Sequence, residues 1–375
     1  MAGHPDGPEE ETRMKRRHFM ASLLGTLAAG RAFGGFAQEG AAFVLPADHP
    51  LQPAWQAWKS LCLQEDGRIV DAPQSGASHS EGQGYGLRLA VAFGDEEAFR
   101  RIFEWSESHL ALREDGLLSW RYLPEAGDPV PDRNNASDGD LFYGWALIQG
   151  AMAWNEPLFA DRARMIGTAL ARSCLADHPD GSGRRYLLPA AYGFTSDRAI
   201  TLNLSYCMPR AMRELGAFAE APALVTAAQD GLDLMNGIAG SGLLPDWLQL
   251  TPEGRTPAPG LPDQSGYEAL RIPLYLCWSG MTDTPAQQRF REMHRQAAAR
   301  DRGTATVFDP ETGRIRESSD EVGYRALVAL NDCVLSRTAG SAMPDFDAAQ
   351  VYFPATLHLM ALVAQAEFFP KCLPV

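Results

Sequence analysis

From about residue 50 onward, apolar positions recur at helical rather than alternating spacing. Trp55, Trp58 and Cys62 fall on one stripe, as do Phe99, Ile102, Phe103 and Leu110, and then Leu141, Trp145, Ile148 and Met152. Further helix-like stretches cover 158–175, 208–219, 221–237, 266–280, 285–301, 318–336 and 350–368. Few runs read as strands. Connections rich in Gly, Pro, Asp and Asn lie near 113–137, 176–200, 240–264 and 302–317, and connections that long in a compact domain tend to carry function. At ordinary helix lengths the chain holds about a dozen helices. That number suits a closed barrel of helical hairpins, and it equally suits a helical solenoid. The one internal echo, Gly116-Leu117-Leu118-Ser119-Trp120 against Gly242-Leu243-Leu244-Pro245-Asp246-Trp247, is thin support for a repeat array.

Composition narrows the function classes. Of 375 residues, 47 are acidic and 33 basic, and the net charge of −14 argues against a nucleic-acid surface. With 45% hydrophobic residues there is enough apolar chain for a large core, so wholesale disorder is not expected. The six cysteines (62, 174, 207, 277, 333 and 372) are far apart and form no C-x-x-C, which speaks against a zinc cluster or a disulfide-dense scaffold. Buried thiols and one or two bridges both remain open. No spacing of His, Asp or Glu forms a metal-ligand set, and no cofactor is expected.

The N-terminal segment reads as an address. Lys15-Arg16-Arg17-His18-Phe19-Met20, the apolar run Ala21 to Ala29 and the small residues up to Ala37-Gln38 resemble a twin-arginine export signal. Residues 1–37 are therefore expected to be leader and signal, with 38–375 a single domain that is periplasmic or secreted. The plainer alternative is a disordered tail. The apolar run is too short to span a bilayer, and no later stretch reaches about 20 apolar residues, so no membrane insertion of the mature chain is expected.

Three segments stand out as candidate chemistry. In Ser78-His79-Ser80-Glu81-Gly82-Gln83-Gly84-Tyr85-Gly86, three glycines at alternate positions open an apolar helix at a cost of about 1 kcal/mol each relative to Ala. Something must approach that backbone closely. Glu81 reads two ways: as the far half of a capping box begun by Ser78, or as a proton donor whose pKa burial or a neighbouring carboxylate must raise. In Asn134-Asn135-Ala136-Ser137-Asp138-Gly139-Asp140, a plain N-cap would explain Ser137 or Asp138. In Ser265-Gly266-Tyr267-Glu268-Ala269-Leu270-Arg271, Glu268 and Arg271 are three apart on an expected helix and could form a surface ion pair. Trp120 and Trp247 could be sugar platforms or core anchors.

Together these stretches resemble glycoside hydrolase family 8. Ser80-Glu81-Gly82-Gln83-Gly84-Tyr85-Gly86 is similar to the family's S-E-G-x-x-Y-G signature, Ala136 to Asp140 to its A-[ST]-D-x-D stretch, Asn203-Leu204-Ser205-Tyr206 to its N-x-S-Y segment, and Tyr267 to Arg271 to Y-D-A-x-R. The resemblance implies an all-α (α/α)6 barrel with long loops forming a groove, acting on a β-1,4-linked glucan chain by inversion. It implies Glu81 as general acid, Asp138 as a holder of the distorted sugar and position 268 as base. It further implies Trp120, Tyr206, Arg271, Asn203 and Tyr267 as cleft residues. Inversion calls for carboxyl groups about 6.5 to 9.5 Å apart, with room for a water between. Leu187-Leu188-Pro189 and Leu244-Pro245-Asp246-Trp247 are similar to segments of the periplasmic cellulases of bacterial cellulose synthesis, which implies a cellulose synthase complex as a partner.

One position departs from the family pattern: Glu268 stands where the pattern has Asp. The extra methylene moves the carboxylate by about 1.5 Å. Glu268 could still be the base, Asp263 or Asp138 could hold the water instead, or the chain could be a weakly active or inactive glucan-binding component of a secretion machine. Family relatives acting on xylan or chitosan keep those substrates open as well.

Overall fold

The structure, a computed structural model, describes residues 42–300, 303–336 and 339–373. The expected export signal lies outside the described residues. Eleven helices are present among those described: α1 (Gln52–Cys62), α2 (Ser80–Ala92), α3 (Glu96–His109), α4 (Ser137–Trp154), α5 (Pro157–Ser173), α6 (Pro209–Phe218), α7 (Pro222–Ala239), α8 (Arg271–Trp278), α9 (Pro285–Ala298), α10 (Val322–Val334) and α11 (Tyr352–Phe368).

Two kinds of helix build the barrel. Nearly every residue of α2, α4, α8 and α11 is buried, as expected of helices apolar on all sides. By contrast α1, α3, α5 and α9 are amphipathic. The inner helices α2, α4, α6, α8 and α11 pack each on the next, and α11 closes the ring on α2. Outside them α3 covers α2, α5 covers α4, α7 covers α6, α9 covers α8 and α1 covers α11, with α10 against α8, α9 and α11. This is the (α/α)6 barrel that the resemblance implied. Trp55, Trp58, Trp145 and Trp278 are fully buried in its core.

The helical periodicity located the elements well, with instructive exceptions. Met152, expected on the buried stripe of α4, is 46% exposed, because the stripe drifts outward near the helix end. The segment expected to be helical from 266 is a turn until Arg271, and 318–319 belong to a strand. The long connections also hold more strand than their patterns suggest. Strands β1 (Ser78–His79) and β2 (Arg121–Tyr122) pair, as do β3 (Leu175–Asp177) with β4 (Arg185–Leu187). Strands β5 (Thr195–Ser196), β6 (Ala199–Leu202), β7 (Leu248–Thr251) and β8 (Gly254–Pro257) form one antiparallel sheet. Strands β9 (Thr304–Phe308) and β10 (Ile315–Ser319) form a hairpin. At two to five residues each, these strands are too short to leave a readable alternation.

One disulfide, Cys333 to Cys372, ties α10 to the chain after α11, and the other four cysteines are buried thiols.

Candidate active site

The glycines of α2 place the first two acids. A Cβ on Gly139 would fall 2.2 Å from Ser80 Oγ and 2.6 Å from the Glu81 nitrogen. One on Gly84 would fall 2.8 Å from the Tyr143 nitrogen. The helices α2 and α4 therefore touch backbone to backbone at their N-termini, which only glycine permits. What approaches the backbone of α2 at Gly84 is α4, and at Gly82 the Tyr352 hydroxyl would lie 2.6 Å from a Cβ. Glu81 and Asp138, one residue inside each helix start, consequently share one site.

Neither acid is a cap. His79 occupies the N-cap of α2 and Ala136 that of α4, both without a side-chain capping bond. Ser137 Oγ instead donates to the Leu188 carbonyl at 2.5 Å. The capping readings of Ser78 with Glu81 and of Ser137 or Asp138 are thereby corrected: the Glu81 and Asp138 side chains turn toward a cation.

That cation is Arg271, the first residue of α8 and only 2% exposed. Its Nη1 donates to Glu81 Oε2 at 2.5 Å, to the Tyr85 hydroxyl at 3.0 Å and to Asp138 Oδ2 at 3.4 Å. Its Nη2 donates to Ser205 Oγ at 2.8 Å and to Glu268 Oε2. The expected surface pair of Glu268 with Arg271 is thus a pair with a buried guanidinium. Glu268 Oε2 also accepts from Asn203 Nδ2 at 2.9 Å and from Ser205 Oγ at 3.1 Å. The side chains of Glu81 and Glu268 remain 21% and 31% exposed, whereas Asp138 is sealed behind them.

Electrostatics separates these groups. Burial, the Glu81 charge and a hydrogen bond with Glu81 push the Asp138 carboxyl well above the usual carboxylate range, against the pull of Arg271. Burial alone would depress Arg271, and the surrounding carboxylates, Glu268 foremost, reverse that. Three carboxylates around one guanidinium leave an excess negative charge that favours keeping a proton in the cluster. Tyr85 and Tyr275, whose hydroxyls lie 2.5 Å apart, floor the site, and burial raises both.

The other expected cleft residues line the rim. Tyr206 lies with its ring 5.7 Å from the Arg271 guanidinium and 6.2 Å from Trp247, which itself stacks on Phe194 at 6.0 Å. Trp120, half-buried, donates from Nε1 to Asp132 Oδ2 at 2.9 Å and is covered by the Arg121 guanidinium at 4.2 Å. Tyr267 packs near Tyr324 and Phe353, and its hydroxyl donates to Glu317 at 3.1 Å. Asn203 is buried, with its amide on Glu268 and its carbonyl oxygen accepting from the Ser205 backbone nitrogen at 3.1 Å. Asp263 is exposed, and its backbone carbonyl accepts from Arg316 at 2.7 Å.

Two buried acids that the sequence reading left without a role hold the walls. Asp246 Oδ1 accepts from the backbone nitrogens of Gly266 at 2.7 Å and Ala269 at 3.0 Å, and Oδ2 from Gln264 at 2.9 Å, so it fixes the turn that carries Glu268. Asp140 accepts from the Leu118 nitrogen at 2.8 Å and from Asn135 at 2.9 Å, anchoring the loop that carries Trp120, and burial pushes it up to about 7. Asp140 carried a local signal, as the second acid of Asp138-Gly139-Asp140, whereas Asp246 carried none, because its partners are backbone nitrogens 20 and 23 residues further on. Among the described residues no group of three or more His, Cys, Asp or Glu is placed to hold a metal ion.

The sequence profile described as glycosyl hydrolases family 8 matches residues 38–367. An endoglucanase of Cellulomonas uda is 35% identical over 230 residues, 60% of this chain and 63% of that protein, so the match spans less than two thirds of the relative's length. A probable endoglucanase of Novacetimonas hansenii is 32% identical over 332 residues, 87% of this chain and 94% of that protein. Among solved structures, a family 8 endo-β-1,4-glucanase from an Achatina fulica gut metagenomic library superposes with a TM-score of 0.76 at 29% identity, over 86% of this chain and 100% of that one. The endo-β-1,4-glucanase CMCax of Acetobacter xylinum gives 0.75 at 29% identity, over 84% and 97%.

Proposed function

We propose a specific chemistry for this chain from the premise that it belongs to glycosyl hydrolases family 8: endo-acting hydrolysis of β-1,4-glucan with inversion. The observation that carries the reading is that Glu81 and Glu268, far apart in the sequence, both reach solvent while binding the two arms of one buried arginine. The names of the relatives support the substrate class.

In this reading Glu81 protonates the glycosidic oxygen as the bond breaks. The buried Asp138 carboxyl, raised by its surroundings, keeps a proton within reach of Glu81 and then helps hold the distorted sugar. Glu268 takes the proton of a water that attacks the anomeric carbon from the opposite face. Its bonds to Arg271, Ser205 and Asn203 all fall on Oε2, so Oε1 is the atom assigned to the water. Arg271 holds both carboxylates at their stations, and Tyr206, Trp247 and Trp120 offer aromatic faces to sugar rings. Asn203 and Tyr267 complete the cleft wall. This keeps Glu268, rather than Asp263, as base.

A rapid fall in the viscosity of carboxymethyl cellulose with few new reducing ends is the expected result. Cellohexaose bound without turnover would instead support the reading as a glucan-binding component, and faster sugar release from xylan or chitosan would move the substrate. The resemblance to periplasmic cellulases and the twin-arginine-like segment support a further part of the proposal, export and service to a cellulose synthase complex. Cell fractionation tests the first; altered cellulose output on deletion tests the second.

A further inference from the structure

The three helices that carry the Arg271 cluster repeat one spacing. Glu81, Tyr85 and Arg88 stand at i, i+4 and i+7 on α2, Asp138, Phe142 and Trp145 on α4, and Arg271, Tyr275 and Trp278 on α8. Positions so spaced share one face of a helix and advance two turns, about 10 Å. The three stripes meet in layers. The first is the Arg271 cluster itself. In the second, the Tyr85 ring meets Phe142 edge-on at 4.7 Å, Phe142 lies 5.2 Å from Tyr275, and Arg271 Nη1 reaches down to the Tyr85 hydroxyl at 3.0 Å. In the third, the Arg88 guanidinium sits 4.8 Å from the Trp145 ring and 5.0 Å from that of Trp278, and the two indoles pack edge to face at 5.4 Å.

Arg88 is a costly filling for that layer. It is fully buried, burial pushes its guanidinium down to about 10, and its Nε and Nη1 find no hydrogen-bond partner among the described residues. Its Nη2 donates to Glu367 Oε2 at 3.0 Å. Glu367, near the end of α11, also accepts from Trp278 Nε1 at 2.8 Å and pairs with Arg210 of α6 at 2.7 Å. Arg210 in turn holds Glu214 at 2.6 Å, and Glu214 accepts from Trp145 Nε1 at 2.6 Å. One charged network thus ties all five inner helices together, two turns away from the carboxylates. An apolar side chain would fill the same space without burying a charge. What it lacks is direction: a guanidinium held between two indoles and bonded to a fixed carboxylate defines one register, and setting register is the best-attested use of a buried charge.

We propose that Arg88 is a positioning residue for the hydrolytic reaction, its layer fixing α2, α4 and α8 in axial register so that Glu81, Asp138 and Arg271 meet in the geometry the reaction needs. The consequence for catalysis rests on the glucanase reading; the register itself is a property of the fold.

The test is Arg88→Met, which fills the layer with a flexible apolar chain and leaves Glu367 paired with Arg210. A slip of a fraction of an ångström between the stripes should lower kcat on carboxymethyl cellulose by about tenfold, since about 1 Å costs on the order of a hundredfold, with KM nearly unchanged because the aromatic rim is untouched. Crystal structures of wild type and variant should show the distances from Arg271 to Glu81 and to Asp138 altered. Arg88→Lys keeps the charge opposite Glu367 and should recover part of the lost kcat; it replaces Arg88→Met in both measurements if the latter does not fold. Unchanged kcat, or unchanged distances, would overturn the proposal, because a residue that serves stability alone lowers the thermal midpoint and leaves both as they are. If wild type turns over no glucan, the glucanase reading falls by itself: altered distances in the variant then uphold the register, and unaltered ones remove it.

Discussion

The two walls of the site are built by opposite means. On the acid side, Glu81 and Asp138 sit where α2 and α4 meet backbone to backbone at Gly84 and Gly139, so their separation is set by hard contact. On the other side, Glu268 stands in a turn before α8, and that turn is held by hydrogen bonds to Asp246. The first wall should be sensitive to added volume and the second to lost polarity. Both then converge on Arg271, so an error on either wall misplaces a carboxylate relative to the same guanidinium.

The largest effects test the carboxylates themselves. Glu81→Gln and Glu268→Gln should each lower kcat by about 10²- to 10⁴-fold, the range for removal of a general acid or base, with the far-ultraviolet circular dichroism unchanged. A Glu268→Gln enzyme as active as wild type would break the symmetry of the two walls and move the base elsewhere.

Next comes the polar wall. Asp246→Ala leaves two backbone N–H groups without their partner and frees the Glu268 turn, and a displacement of about 1 Å there predicts on the order of a hundredfold loss of kcat. Restoring polarity with Asp246→Asn should recover part of it. Equal kcat in Asp246→Ala and wild type would show that the turn holds itself.

The glycine wall predicts a different signature. Gly139→Ala forces a methyl against Ser80 and the Glu81 backbone, and overpacking of this kind costs about 1 to 3 kcal/mol. Urea denaturation should show that loss together with reduced activity, whereas Gly237→Ala, with open space around its Cβ, should show neither.

The smallest effect is in pH dependence. Because Asp138 is raised in the folded protein above its unfolded value, its protonated form stabilises the fold: the contribution is full below the unfolded pKa and is lost as pH rises through the folded one. Thermal midpoints from mildly acidic to mildly alkaline pH should therefore fall more steeply for wild type than for Asp138→Asn. Parallel curves would show that the Asp138 proton does not contribute.

The difference between the walls also explains what was legible in the sequence. Helices α5, α6, α7 and α9 were readable within a few residues because each keeps a sustained apolar period, and α11 because its apolar run is nearly unbroken. The glycine pattern of α2 announced a close approach, and the structure supplies the partner as Gly139 and Tyr143 of α4. The strands near the cleft were hidden by their length. Asp246 was hidden for a subtler reason: it acts through backbone nitrogens 20 and 23 residues away, and no side-chain spacing records that. Glu81 and Asp138 read as caps because a helix N-terminus is where acids ordinarily cap; only the arrival of Arg271 from α8 distinguishes the two roles.

The account stands on water being activated across the sugar from the proton donor, and the stereochemistry of the first product reports that directly. Proton NMR during hydrolysis of cellopentaose should show the α-anomer appearing first and mutarotating afterward. A β-anomer appearing first would mean retention, and would contradict the assignment of Glu81 and Glu268 to opposite faces of one displacement.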